Sequence, residues 1–401
     1  MKTPGLWWGP PQNFDERKYE RKISWLELFY DLVYVACIGQ ITHQIAVSPT
    51  WDTMGFSLLL FSMIFWSWIN GSQYYDLHGG EGIRTRLLTF WQMLAVAAVA
   101  ITIPETFKGQ HQNFTLAFLA LQVLITYLWW SVGFYDPSHR VFNKFYTTNY
   151  VTSSLLLGAS YFTGQQTATI LWIVVLILNL LPPLTGAKTI VTILKERGQV
   201  FSASAALVER FGLFTIIVLA ESILGTVTGF AEVKDKQLIE WLVVLLAILI
   251  AFLLWCLYFD MTSEQETKKG YNYLLLLCFL HFPLLASLSV VGACLKVFLA
   301  EVAAGLPLQL HWMFCISLAI IVWSITALTK IMLEEEEDRA FIGPVARILV
   351  YSGLGLPIVP LFKDYLSTLN FLAIVALILL LPVCIGIRGW VKFKFGAKQP
   401  G

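Results

Sequence analysis

Chemistry in this chain would have to come from a handful of ionisable residues set inside long apolar runs. In Ile23–Val35, ISWLELFYDLVYV, Glu27 and Asp31 lie four residues apart and share one face of a helix. In VERFGLF, Glu209 is followed by Arg210. Glu221 ends the apolar run FGLFTIIVLA, and His281 lies inside LLLLCFLHFPLLASL. Carboxylates and a histidine so placed can take up and release protons or bind a cation. A charge at bilayer depth costs roughly 2.5 kcal/mol or more unless it is protonated, paired or hydrated, so each position calls for an explanation.

Some explanations are structural. Ser24 and Glu27 have the spacing of a capping box at a helix start. Asp31 lies about 6 Å deeper, at 1.5 Å per residue, and no cap reaches it. Arg210 either pairs with Asp31 or Glu27, or snorkels to the headgroups. Glu221 lies about 18 Å beyond Glu209, too far in for a cap; it is a proton acceptor or cation ligand, or a neutral acid bonded to a neighbouring helix. His281, two residues before Pro283, is a proton site or a hydrogen-bonded core histidine. Gln40 and His43 fall near the far end of the first run and face the same cavity if one exists. Glu105 follows Pro104 and is placed to line an outer vestibule. Asp76 and Asp260 each follow two aromatic residues at the end of a run. A helix C-terminus disfavours an acid, so each predicts a base, from Arg84, Arg86, Lys268 or Lys269, in a gate or latch. Asn70, Asn179 and Trp66 are weaker candidates. The acidic run in LEEEEDR near residue 333 reads as a solvated helix end or a regulatory cation site.

The elements that position these residues are membrane helices. The chain has 401 residues, 57% hydrophobic and 13% charged, with mean hydropathy +0.69; soluble domains carry about a quarter charged residues. Twelve segments reach the length and apolarity of a span: about 24–46, 54–75, 87–104, 114–135, 145–162, 167–190, 208–229, 238–259, 271–298, 309–331, 342–360 and 367–387. The fifth and eleventh are the weakest. With the N-terminus in the cytoplasm, all but five of the 27 basic residues fall inside, the exceptions being Lys108, Lys234, Lys236, Lys296 and Lys363. That is the positive-inside asymmetry. The fold class expected is an all-α polytopic membrane protein of about 12 transmembrane helices with both termini cytoplasmic. No secretory signal precedes the first run.

An internal repeat is visible. Aligning Leu26–Ile41 with Val208–Ile223 superposes Glu27 on Glu209, Phe29 on Phe211 and Ile41 on Ile223. QYYD and LYFD match at nearly the same offset, Asp76 on Asp260. The organisation read from this is a cytoplasmic arm over 1–22, a first six-helix repeat over 23–190, a cytoplasmic linker over 191–206, a second repeat over 207–388 and a basic tail over 389–401. Parallel repeats of this kind place a substrate path between the halves.

No nucleophile elbow, HExxH, P-loop or dinucleotide fingerprint is present, which argues against an enzyme and against a cofactor. The six cysteines lie in apolar runs with no CxxC spacing and read as buried free thiols. A net charge of +1 gives no nucleic-acid signal. WLELFYDLVYV together with ERFGLFTIIVLAESI and LYFD resembles the bacterial low-temperature-requirement A (LtrA) family over roughly residues 20–390. In that family the residue before the second acid is commonly glycine, where this chain has Ala220. The resemblance implies a multi-pass protein of the bacterial inner membrane and names no substrate. Phe29-Tyr30-Asp31 is also similar, more weakly, to a signature in the first helices of the endosomal–lysosomal two-repeat potassium channel family, whose first helices line the pore; Gly212-Leu213 departs from it.

The function expected is transport of a small ion, a proton or a monovalent cation such as sodium or potassium, through buried carboxylates. The alternatives are a non-transporting structural or stress-sensing membrane protein, or one that moves lipids. The partners expected are membrane lipids and the ion, with homo-oligomerisation left open.

Overall fold

A computed structural model describes residues 10–12, 22–80, 82–135, 140–196, 203–233, 236–262, 266–300, 306–333 and 339–396. Most of the N-terminal arm, the acidic run Glu334–Asp338, part of the 191–206 linker and the end of the basic tail lie outside these residues. The described chain is helical throughout: α1 (Trp25–Val47), α2 (Trp51–His78), α3 (Ile83–Phe107), α4 (Gln112–Tyr135), α5 (Arg140–Ser160), α6 (Gln165–Glu196), α7 (Ala205–Glu232), α8 (Leu238–Thr262), α9 (Tyr271–Ala300), α10 (Leu308–Thr329), α11 (Arg339–Gly355) and α12 (Thr368–Gly396).

Ten spans among the described residues are long and apolar enough to cross a membrane. α1 and α5, at 23 and 21 residues, have the length but not the apolarity. α1 carries Glu27, Asp31, Gln40 and His43; α5 carries Asn143, Lys144 and Asn149 with several Ser and Thr. The eleventh span, one of the two weakest from sequence, is not α-helical throughout. Its α-helix stops at Gly355 and continues as a ten-residue 3₁₀ segment, Leu356–Tyr365. Pro357 and Pro360 have no N–H to give to an α-helical ladder, which accounts for the change of winding. Large apolar side chains stand exposed along the helices, among them Ile101, Leu155, Leu245, Phe252 and Leu377. Apolar surface on this scale needs lipid rather than water around it.

The chain forms two compact units. The first comprises Met1–Ile41, Leu58–Arg210 and Lys269–Leu275. Within it α3, α4, α5 and α6 pack in sequence. α1 and α2 meet where Gly71 has no side chain: a methyl group there would overlap the Tyr30 hydroxyl. The second comprises Thr42–Ser57, Phe211–Lys268 and Leu276–Gly401. Within it α8 packs on α10 and α12, and α11 on α10 and α12. α7 lies against the backbone of α9, for a Cβ at Gly225 would come 2.7 Å from the Gly292 carbonyl oxygen and one at Gly229 2.6 Å from that of Lys296. This is the small-residue packing that membrane helices use in place of a hydrophobic drive.

Five cysteines are buried free thiols, whereas Cys384 is exposed.

Candidate functional site

The charged residues of α1 are brought together with Arg210 in the first unit. Ser24 opens α1 with both halves of the capping box. The Glu27 amide donates to Ser24 Oγ at 3.3 Å, and Glu27 Oε2 accepts the Ser24 amide at 2.9 Å and its hydroxyl at 3.0 Å. Glu27 thus has the structural role its spacing offered. It also faces Arg210, whose Nη1 lies 3.5 Å from Glu27 Oε1.

Asp31 is the centre of the cluster. Arg210 forks onto it, with Nε donating to Oδ2 at 2.9 Å and Nη2 to Oδ1 at 2.8 Å. The Trp68 indole N–H donates to Oδ1 at 2.6 Å. The guanidinium also lies 5.2 Å from the Tyr30 ring centre and 5.9 Å from that of Trp68. Asp31 is 0% exposed, Glu27 1% and Arg210 2%. Of the two readings open for Arg210, the geometry is the paired one: a snorkelling arginine would not be fully buried. A bidentate, charge-assisted pair is the strong form of this interaction. Beside it a cavity of about 10 Å³ is lined by Glu27, Tyr30, Tyr75, Gln92 and Arg210 among others.

Polar groups continue inward from this cluster. The Tyr30 hydroxyl lies 3.1 Å from that of Tyr34 and 3.3 Å from Gln92 Oε1. Ser67 Oγ lies 3.2 Å from the Tyr34 hydroxyl and donates to the Ile64 carbonyl at 2.7 Å. Ser67 also lines a second cavity of about 10 Å³ with Asn70, Gln122, Tyr150 and Asn179. There Gln122 and Asn179 exchange two amide bonds, at 2.9 and 3.3 Å, and the Tyr150 hydroxyl donates to Asn70 Oδ1. Pro183 explains one further contact. Lacking an N–H, it leaves the Asn179 carbonyl out of the α6 ladder. The Trp66 indole fills that place at 3.0 Å.

The other expected residues lie elsewhere. Glu209, which the offset of 182 residues aligns with Glu27, is exposed and outside the cluster. Glu221 is half-buried on α7, beside exposed Ile223 and Leu224, with no hydrogen bond or ion pair among the described residues. His281 is buried in the second unit. Its Nδ1 meets the Leu277 carbonyl at 2.8 Å and its Nε2 the Tyr258 hydroxyl at 2.9 Å. A carbonyl can only accept, so Nδ1 carries the proton, and Nε2 is free to accept from Tyr258. His281 therefore has both nitrogens occupied while neutral. Gln40 is half-buried and His43 exposed. Glu105 is half-buried and accepts from Asn113 at 3.0 Å. Asp76 is buried and takes the Ser204 hydroxyl; Asp260, aligned with it in sequence, is exposed. Arg84, proposed above as a base for Asp76, instead gives its Nη atoms to the Tyr74 hydroxyl and Ser131 Oγ, at 3.0 and 2.7 Å. Lys268 Nζ donates to the Lys330 carbonyl. Among the described residues no group of histidine, cysteine and carboxylate side chains is arranged to hold a metal.

Trp68, Tyr34, Ser67 and Gln122 were not singled out from sequence, and Tyr30 entered only through the Phe29-Tyr30-Asp31 resemblance. Gln122, an amide inside an apolar run, was the visible signal. A tyrosine or tryptophan in an apolar run fits an interface belt or a core equally well, and only the rotation of α2 about its axis turns the Trp68 N–H toward α1.

Comparison with known proteins adds two findings. Residues 22–384 match the family model described as bacterial low temperature requirement A protein (LtrA). An uncharacterized protein of Rhizobium meliloti (strain 1021) is 26% identical over 261 residues, covering 64% of this chain and 62% of that protein. The match thus spans less than two thirds of the relative's length.

Proposed function

As the chain belongs to the bacterial low temperature requirement A (LtrA) family, whose name states no substrate, we propose that this multi-pass inner-membrane protein transports a small ion, a proton or a monovalent cation, through carboxylates buried in its helices. The observation that carries the reading is the Glu27–Asp31–Arg210 cluster, three charged side chains almost wholly buried in a helical membrane bundle. Charges are rare at such depth and commonly mark pathways for ions or protons. Arg210 holds Asp31 closely and Glu27 loosely, so protonation of Asp31 gives the guanidinium a second carboxylate to move toward. Glu221, an acid with no partner among the described residues, supports the same reading. We also read the helices as two six-helix repeats with cytoplasmic termini, from the offset matches and the charge asymmetry, and the protein as a transporter or channel rather than an enzyme.

The experiment is flux of protons, sodium and potassium into vesicles containing the purified protein, with Asp31→Asn and Glu221→Gln as controls. The reading expects flux of one of these ions in the wild type and its loss in both variants. Absence of all three fluxes in well-folded protein would sink it. One observation favours a second reading, a non-transporting structural or stress-sensing protein: Asp31 is already saturated by Arg210 and Trp68. That reading expects both variants to change stability alone.

A further inference from the structure

The polar groups behind the charge cluster have a pattern of their own. Tyr30, Tyr34 and Ser67 place three hydroxyls in series, 3.1 and 3.2 Å apart, all buried. The series joins two cavities. Tyr30 lines the one beside Glu27 and Arg210, and Ser67 lines the one beside Asn70, Tyr150, Gln122 and Asn179. Each cavity measures about 10 Å³, close to the space one water molecule needs. Both have mixed walls in which several polar side chains, Glu27, Tyr30, Gln92 and Arg210 in one and Ser67, Asn70, Gln122 and Asn179 in the other, offer an internal water the two to four partners it needs. Hydroxyls and water each donate and accept, so a proton can pass along them without any atom larger than hydrogen moving between sites. A sodium or potassium ion passing here would need several oxygens around it at each stop. Between the cavities this route offers a single file of hydroxyls, and the Tyr30 hydroxyl at its head sits against Gly71, where not even a methyl group fits.

We propose that Tyr30, Tyr34 and Ser67 form a proton relay between two single-water cavities in the first unit, so that the ion moved is the proton. The inference rests on the transport reading and names its substrate. In one passage a hydronium in the first cavity gives a proton to the Tyr30 oxygen as Tyr30 passes its own to Tyr34. In the structure Ser67 donates to Tyr34 and to the Ile64 carbonyl, so the Tyr34 and Ser67 hydroxyls first turn; Tyr34 then passes its proton to Ser67, and Ser67 passes its own to water in the second cavity. Each oxygen gains one O–H bond and loses one, so the hydroxyls end neutral and only their orientation has changed. Reset is a rotation of the hydroxyls, with the Ile64 carbonyl, 2.7 Å from Ser67 Oγ, holding the Ser67 proton at one end of its swing. Glu27, Asp31 and Arg210 are the ionised groups at the entrance, with Tyr74 and Tyr75 beside them.

The test uses the full chain in vesicles of phosphatidylethanolamine and phosphatidylglycerol. An internal pH dye reports proton flux under an imposed potential, and sodium and potassium indicators are read in parallel. The expected result is proton flux without sodium or potassium flux, lowered at least tenfold by Tyr34→Phe and by Ser67→Ala. Both variants keep the local volume nearly unchanged, and gel filtration in detergent confirms that they fold. Gly71→Ala, which pushes the Tyr30 hydroxyl out of the file, should lower flux as well. Sodium or potassium flux without proton flux would overturn the inference and leave the transport reading standing. So would proton flux unchanged in both folded Tyr34→Phe and Ser67→Ala. No flux of any ion in the wild type would overturn both.

Discussion

The Asp31–Arg210 pair can be measured as a coupling energy. Arg210→Gln removes the guanidinium and leaves two buried carboxylates, Asp31 with the Trp68 N–H and Glu27 with its cap at Ser24. Asp31→Asn keeps an oxygen for Trp68 and Nη2 but turns an amide NH₂ toward the Nε of Arg210, donor against donor. Breaking a buried pair from one side typically costs about 3–5 kcal/mol, because the survivor is left charged and uncompensated. Each single variant should fall in that range. The double variant is neutral at both positions, and such replacements often come close to the original stability, so it should lose only about 1–2 kcal/mol. The coupling, the two single losses together less the double, is then at least about 4 kcal/mol, well within reach of a double-mutant cycle. Reversible unfolding of the purified proteins in mixed micelles of mild detergent and dodecyl sulfate, followed by tryptophan fluorescence, supplies the four numbers. A coupling below about 0.5 kcal/mol, the ordinary scatter for independent sites, would refute the argument. A charge swap is a poorer probe, since an arginine at position 31 would set its donors against the Trp68 N–H.

Three further outcomes follow from the geometry. Glu221→Gln should change stability by no more than about 0.5 kcal/mol in the same assay, since the side chain is half exposed with no partner among the described residues; a loss above about 2 kcal/mol would show that Glu221 holds the fold together. Tyr258→Phe and His281→Leu should each cost about 1–3 kcal/mol, and the double no more than the larger single plus about 1 kcal/mol, because both remove one bond; full additivity would mean the bond is not formed. Gly229→Ala should destabilise by about 1–3 kcal/mol through overpacking, its new methyl group meeting the Lys296 carbonyl at 2.6 Å, whereas Gly55→Ala, with open space around it, should not; equal effects would contradict the α7–α9 contact.

What the sequence made legible was what local rules govern. Helix positions followed from apolar runs, because a span must satisfy its own backbone wherever it lies in the bilayer. The Ser24–Glu27 cap followed from a spacing of three residues. Arg210 as a partner for Asp31 was one of two readings, since a buried acid calls for a base and the aligned helix start of α7 carries one. The partners set by helix rotation were hidden. Whether Trp68 points at Asp31 or at lipid depends on the azimuth of α2, and a tryptophan fits either place. The different fates of matched residues, Glu27 buried and Glu209 exposed, Asp76 buried and Asp260 exposed, show that a shared residue type does not carry a shared environment. The 3₁₀ continuation after Gly355 was hidden too, because prolines announce a break but not what replaces the helix.

Pro183 has a consequence for how this protein can change. An isolated helix gains stability when an internal proline is replaced, because the ladder closes. Here the ladder's gap is already occupied: Trp66 from α2 uses the Asn179 carbonyl that Pro183 leaves open. The same arrangement recurs in α12, where Pro382 leaves the Ile378 carbonyl to the Ser352 hydroxyl of α11 at 3.3 Å. Restoring an N–H at either position would set it in competition with a neighbour that has come to depend on the vacancy. A gap within one helix serves as a bond between two, so replacing either proline removes a neighbour's acceptor unless the neighbouring helix changes with it.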